Sequence, residues 1–270
     1  MEFEPFDWYA TPLYYDIIFD VDTQKEAGFL AAVSEKYGRS GGKTALEPAC
    51  GTGRLLEALA ERGFGVSGFD AEPAMVRAAR DRLGKGARVW EGWFEDFMGQ
   101  AARPTDGIHG LRGKVDLMFC LVSSFKYVLD EEGARAHLRE AADWLAPGGV
   151  YVLGLHLTDY TDRETQVERW RATRDGVRVD CTIKSWPADR TTRLERVRSR
   201  LTVQGEGIDS VKRYESCWDF RTYGITQLRS LLRSEPRLRH VATYTFHHEI
   251  ERRVRLGGED LGVVLVLRRE

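Results

Sequence analysis

Ala45-Leu46-Glu47-Pro48-Ala49-Cys50-Gly51-Thr52-Gly53-Arg54 is the stretch on which the fold turns. Thr44 to Cys50 is an apolar run of strand length, and Arg54 to Arg62 has helical periodicity. The small residues between them make a turn where backbone can approach a ligand closely, beside the positive end of a helix. The alternation continues outward. Phe64 to Asp70 reads as a strand, Pro73 to Leu83 as a helix, and Ala87 to Glu91 and Val115 to Val122 as strands. Glu131 to Leu145 then reads as a helix and Val150 to Leu157 as a fifth strand, with the helix expected to stop at Pro147-Gly148-Gly149. Strands alternating with helices predict an α/β fold, a parallel sheet with helices on both faces. Upstream, the aromatic-rich segment from Phe6 to Phe19 is expected to be part helix.

After Asp162 the period changes to two. Val177, Val179, Cys181, Ile183 and Ser185 alternate with polar residues, as do Glu195, Val197, Ser199, Leu201 and Val203. This predicts an antiparallel meander of about four strands between residues 165 and 220, the last from Val211 to Phe220. Asp175-Gly176 marks a hairpin turn and Gly205-Glu206-Gly207 a break. A helix over Ile225 to Arg233 and strands over His240 to His247 and Gly262 to Arg268 follow. Three parts are expected: residues 1–162 with the first sheet, an inserted β-meander over 163–221, and a completing segment over 222–270.

The 270 residues are 42% hydrophobic and 30% charged, which excludes a disordered or fibrous chain and is enough for a sizeable core. No apolar run approaches the roughly 18 residues of a membrane helix, and Met1-Glu2-Phe3-Glu4 is not a basic leader, so a cytoplasmic location is expected. Cys50, Cys120, Cys181 and Cys217 lie far apart and are read as reduced packing residues, with no metal site. Net charge is −2 but uneven. Residues 1–160 hold 17 Lys and Arg against 25 Asp and Glu, whereas residues 161–256 hold 21 against 14. The arginines of the meander interleave with acids and form no contiguous run, so nucleic acid is not the expected partner.

Twenty residues after the turn, Asp70 ends the second strand, where a carboxylate can accept both hydroxyls of a ribose. A dinucleotide fingerprint would need a third glycine where Leu56 stands, and Glu47 before the turn would repel a pyrophosphate. A cationic nucleoside suits Glu47. Gly41-Gly42-Lys43-Thr44 lacks the first glycine of a phosphate loop, and Asp20-x-Asp22 lacks the central glycine of a calcium loop. The first motif, Leu46 to Gly53, and the second acid in Gly68-Phe69-Asp70-Ala71-Glu72-Pro73-Ala74-Met75 resemble those of the class I S-adenosylmethionine-dependent methyltransferases. Val115 to Cys120, Ser123 to Leu129 and Trp144 to Gly149 are similar to the family's fourth strand, the loop after it and the turn before its fifth strand.

That resemblance implies a Rossmann-like seven-stranded sheet and S-adenosyl-L-methionine as cofactor, with a methyl group passed to N or O of a small molecule. It places Gly51 and Gly53 around the methionine part, Glu47 on the pocket floor, Asp70 on the ribose, Ala71 and Met75 near the adenine, and Leu121 beside the sulfonium. Ala49 stands where the family has its first glycine. Trp93 stands where an acid meets the adenine amine, leaving that contact to backbone near Phe94 or to Asp96. Trp8, Tyr9, Tyr14 and Tyr15 look like the family's N-terminal lid, with Tyr15 beside the reacting methyl, and His156 is the expected base at the end of the fifth strand. Tyr160, with Trp186, Trp218, His247 and His248, is a further substrate-side candidate; His137 and His109 are expected on the surface. The inserted sheet is laid out like that of amino-sugar and glycine N-methylating relatives, as a substrate cover or the interface of a homodimer. An RNA-directed enzyme and a non-catalytic cofactor-binding partner are the alternatives.

Overall fold

The computed structural model describes residues 2–99, 107–208 and 210–270. A short strand β1 (Glu4–Pro5) and helices α1 (Pro12–Phe19) and α2 (Thr23–Tyr37) lead into β2 (Thr44–Pro48), α3 (Arg54–Ala60), β3 (Gly65–Asp70), α4 (Pro73–Leu83) and β4 (Arg88–Glu91). Then come β5 (Val115–Cys120), α5 (Glu131–Trp144) and β6 (Leu145–His156). Strands β7 (Gln166–Arg174), β8 (Val177–Ser185), β9 (Leu194–Gly205) and β10 (Lys212–Arg221) precede α6 (Ile225–Arg233), β11 (Leu238–Tyr244) and β12 (Gly262–Arg269). The main sheet has seven strands in the order β11-β12-β6-β5-β2-β3-β4, parallel from β6 to β4 and antiparallel at β12. It is the Rossmann-like arrangement the sequence predicts, helices on both faces.

Alternation along the buried strands divides the core between those faces. Met118, Cys120 and Leu153 pack with Leu138 and Trp144 of α5 and Leu228 of α6. Leu117, Phe119 and Val152 pack with Leu30 of α2, Leu56 of α3 and Val76 of α4. A third cluster joins Ile17 and Ile18 of α1, with Trp8, to Val179, Cys181, Leu201 and Val203 of the second sheet. That sheet runs β1-β10-β9-β8-β7, a meander plus the parallel strand β1, which the sequence reading missed.

Other boundaries differ for local reasons. Helix α2 was not anticipated, and its buried Ala27, Phe29, Leu30 and Val33 carry the core contact. Helix α5 ends at Trp144, and β6 begins at Leu145 and runs through Pro147-Gly148-Gly149. A Cβ on Gly149 would lie 2.7 Å from the Val115 carbonyl, so the glycine lets the strand lie flush against β5. Strand β5 stops before Val122 because Val122 and Ser123 take φ of 58° and 62°. His137 is fully buried on α5, which corrects its surface assignment: it falls three residues after Ala134 and four before Ala141, on the same inward stripe. His109 is exposed as expected. Of the free cysteines, Cys50, Cys120 and Cys181 are buried, while Cys217 is exposed on the outer face of β10 and is no packing residue.

Candidate functional site

Strand order reverses between β2 and β5, and loops after both strands open a crevice at their C-terminal ends, where such sheets take ligands. After β2 the backbone is left-handed at Ala49, Gly51 and Gly53, with φ of 54°, 54° and 77°. Gly51 donates its N–H to Asp70 Oδ2 at 2.8 Å, and Glu72 donates to Oδ1 at 3.0 Å. Asp70 is thereby fixed at the end of β3 with lone pairs to spare. Burial raises its pKa, opposed by those backbone N–H groups. A Cβ on Gly68 would come within 2.8 Å of Cys50 Cβ, so a glycine in mid-strand is what allows the turn to press on β3.

Glu47 is buried at the root of the turn, and its Oε2 makes no hydrogen bond. Burial pushes its carboxyl well above the usual range, opposed by the nearby Arg54 guanidinium. Arg54 is held elsewhere, donating to Thr23 Oγ1 at 2.8 Å and pairing with Glu26. A buried carboxylate without a partner is costly unless a cation meets it. Tyr15 covers the crevice: a Cβ on Gly51 would lie 3.5 Å from its ring. Burial raises the Tyr15 phenol, so it stays protonated.

Helix α1 is pinned over this turn by Asp16, whose carboxylate accepts from Thr52 and pairs with Arg82 of α4. Arg174 of β7 donates to the Asp16 carbonyl at 2.7 Å and to Asp20 at 3.1 Å, tying the second sheet to the same helix. Trp8 donates its indole N–H to Ser199 at 2.7 Å, and Tyr9 donates to the Tyr127 hydroxyl at 2.5 Å. Tyr14 lies off the site, its ring 6.2 Å from that of Tyr214. Tyr160 also turns away, its hydroxyl 2.8 Å from Thr222 Oγ1 and donating to Gln227 Oε1 at 2.9 Å.

The crevice adjoins a cavity of about 590 Å³ roofed by the second sheet. His156 lines it, stacked on Phe246 at 4.7 Å, with Nδ1 3.0 Å from Ser123 Oγ. Desolvation, seconded by the Lys126 charge, lowers its imidazole pKa, so it is neutral at pH 7. Lys126 is itself buried and pairs with Glu195 of β9 at 2.6 Å. Trp186, Trp218 and His248 line the same cavity; His247 does not. Met75 is fully buried at the first turn of α4, beyond the exposed Ala71, and Leu121 is buried beside the crevice. The Phe94 carbonyl accepts from His137 Nδ1 at 3.0 Å and its ring packs on Phe125, so its backbone oxygen is already used. Sequence reading did not single out Tyr127, the Lys126–Glu195 pair or Thr52, because their partners lie 118, 69 and 36 residues away along the chain.

Residues 45–149, which span this crevice, match the family model described as Methyltransferase domain. Over that stretch the chain is similar to a methyltransferase domain. Among sequence relatives, a protein of Geobacillus sp. (strain WCH70) provisionally named a methyltransferase is 25% identical over 158 residues, which span 58% of this chain and 59% of that one. In fold, the chain is similar to the sugar N-methyltransferase KedS8 from Streptoalloteichus sp ATCC 53650, with a TM-score of 0.72 and 21% identity over 100% of this chain and 99% of that one. It is similar too to CalS10, an amino pentose methyltransferase from Micromonospora echinaspora involved in calicheamicin biosynthesis and solved with S-adenosylmethionine bound. There the TM-score is 0.71 and the identity 21%, covering 100% of both chains. The residues of the crevice fit that cofactor: Glu47 Oε2 lacks a hydrogen-bond partner, which a methionine amino group would supply, and Asp70 has acceptor capacity left for ribose hydroxyls.

Proposed function

We propose that this protein transfers a methyl group from S-adenosyl-L-methionine to a nitrogen atom of a small molecule. The observation that carries this is the unpartnered Glu47 carboxylate beside the Gly51–Asp70 turn, opening toward a cavity large enough for a second reactant. The amino-sugar activities of the similar folds support nitrogen over oxygen. The inserted sheet serves as substrate cover; β7, a nine-residue outer strand, supports its use also as a homodimer edge. Four free cysteines agree with a cytoplasmic location.

The cofactor supplies a methyl group on a positively charged sulfur. Glu47 anchors its amino end, Gly51 and Gly53 let the chain pass close, Asp70 grips the sugar, and Ala71 and Met75 bound the base. Tyr15 and Tyr9 would close the lid and exclude water, and the Tyr15 ring beside Gly51 would stabilise positive charge in the crevice. His156, neutral above the acid range, takes the proton that an acceptor ammonium must lose before its lone pair attacks. The residues would thus hold a neutral amine lone pair in line with the donor, whose methyl–sulfur bond pair would remain on sulfur.

Thermal-shift measurements with S-adenosylmethionine, S-adenosylhomocysteine and NAD test the assignment. Either sulfur compound at about 100 times its dissociation constant adds about 2.7 kcal/mol; stabilisation by NAD alone would sink it. With an amine acceptor, wild-type methylation falls as His156 protonates below neutrality, whereas His156→Ala is slow throughout and lacks that limb. An unchanged rate and profile in the variant would remove the base from the mechanism.

A further inference from the structure

Strand registers place Glu168, Trp170, Ile183, Glu195, Trp218 and Phe220 on one face of the second sheet, and all of them line the cavity. The alternate residues carry the basic excess outward, where Arg171 and Arg178 pair with Asp180, Arg196 with Asp219, and Arg200 with Glu215. The cavity wall therefore has the opposite sign to the sheet as a whole. Asp159, Asp162, Glu164 and Glu168 ring it without a salt bridge among the described residues. Its one lysine or arginine among those residues, Lys126, is already cancelled by Glu195. Lys184 and Arg198 pack over the Trp186 ring and do not line the cavity. On the same wall the buried indole nitrogen of Trp218 lacks an acceptor, leaving a neutral donor for a hydroxyl or ether oxygen.

We infer that the acceptor is an amine carried on a neutral scaffold with apolar surface, such as an aryl glycoside of an amino sugar, and that nucleoside-diphosphate sugars are rejected. A pyrophosphate in this cavity would meet four carboxylates that have no salt bridge, with no free cation, while an ammonium beside Glu168 and Trp170, which share one face of β7, gains attraction from carboxylate and ring alike. This rests on the proposed methyl transfer and specifies its acceptor.

The test titrates the full chain, saturated with S-adenosylhomocysteine, with two probes: p-nitrophenyl 3-amino-3,6-dideoxyglucoside and the thymidine-diphosphate ester of the same sugar. The aryl glycoside is expected to bind at least about tenfold more tightly, a margin that shrinks with added salt. Glu168→Gln narrows it further while leaving S-adenosylhomocysteine affinity unchanged, which a merely structural role for Glu168 would not do. Trp218→Phe weakens the glycoside but keeps the charge preference. Equal or tighter binding of the diphosphate ester, or binding of neither probe to the cofactor-loaded protein, overturns the inference and leaves methyl transfer standing. Failure to bind S-adenosylhomocysteine at all would instead strike the proposed function.

Discussion

Ala49 shows how closely one residue's conformation is tied to the site. Its φ of 54° is a left-handed value at which an L side chain is disfavoured by about 1–2 kcal/mol, yet the turn requires it to bring the Gly51 N–H onto Asp70. Ala49→Gly relieves that strain and gives back about 0.5–1 kcal/mol through a more flexible unfolded chain. The expected net gain is about 0.5–1 kcal/mol, seen as a rise in Tm of about 1–3 °C. A lower Tm would mean that the alanine methyl contributes packing that outweighs the strain. The placement of Glu47 and Asp70 at strand ends was legible from the two apolar runs, and those strands pair Pro48 with Phe69, whereas the roles of Glu47, Gly51 and Gly53 came from the resemblance of the motif.

At the scale of the element, α5 is the instructive case. Its inward stripe was readable from the spacing of Ala134, Leu138 and Ala141, but His137 was expected on the surface of an exposed helix and its burial went unread. Three aromatic rings, the Phe94 carbonyl and the Tyr151 hydroxyl make a neutral imidazole satisfied there. Burial holds its pKa at about 3, against about 6.5 in an unfolded chain. Below pH 6.5 the unfolded state therefore binds a proton that the folded state refuses. Stability is lost as pH falls, by up to about 1.4 kcal/mol per pH unit from this group until about pH 3. Denaturant unfolding of wild type and His137→Gln between pH 7 and 4 measures it: the variant, less stable at pH 7, should show a shallower decline. Parallel curves would contradict the neutral buried imidazole.

At the scale of the whole molecule, the main sheet and helix α1 close around the Glu47 carboxylate, and the second sheet roofs the adjoining cavity. The period change after Asp162 exposed the meander in the sequence, but not where it would sit. That is set by contacts such as Trp8 to Ser199, across 191 residues, and Arg174 to Asp16, across 158, which no local pattern encodes. Strand alternation explains why the basic excess of the meander did not become a basic cavity: period-two strands send alternate residues to opposite faces, most of the arginines lie on the outer one among acids such as Asp180 and Asp219, and Arg174, on the inner face, is held by Asp20 of the segment after α1.

The closure also buries Glu47, so that an incoming cation must draw out its ionised form. Calorimetric titration of S-adenosylmethionine into wild type and Glu47→Gln, from pH 5.5 to 7.5, below the ordinary pKa of about 7.7–8.0 of the ligand's own amino group, reads this directly. Because the free carboxyl is raised well above its ordinary range, wild-type binding should release a proton and tighten as pH rises. Glu47→Gln should bind about tenfold or more weakly at the alkaline end, with no proton release from this site. Equal affinity in the two proteins, or wild-type binding that neither releases a proton nor strengthens with pH, would contradict a crevice built around an unpaired carboxylate.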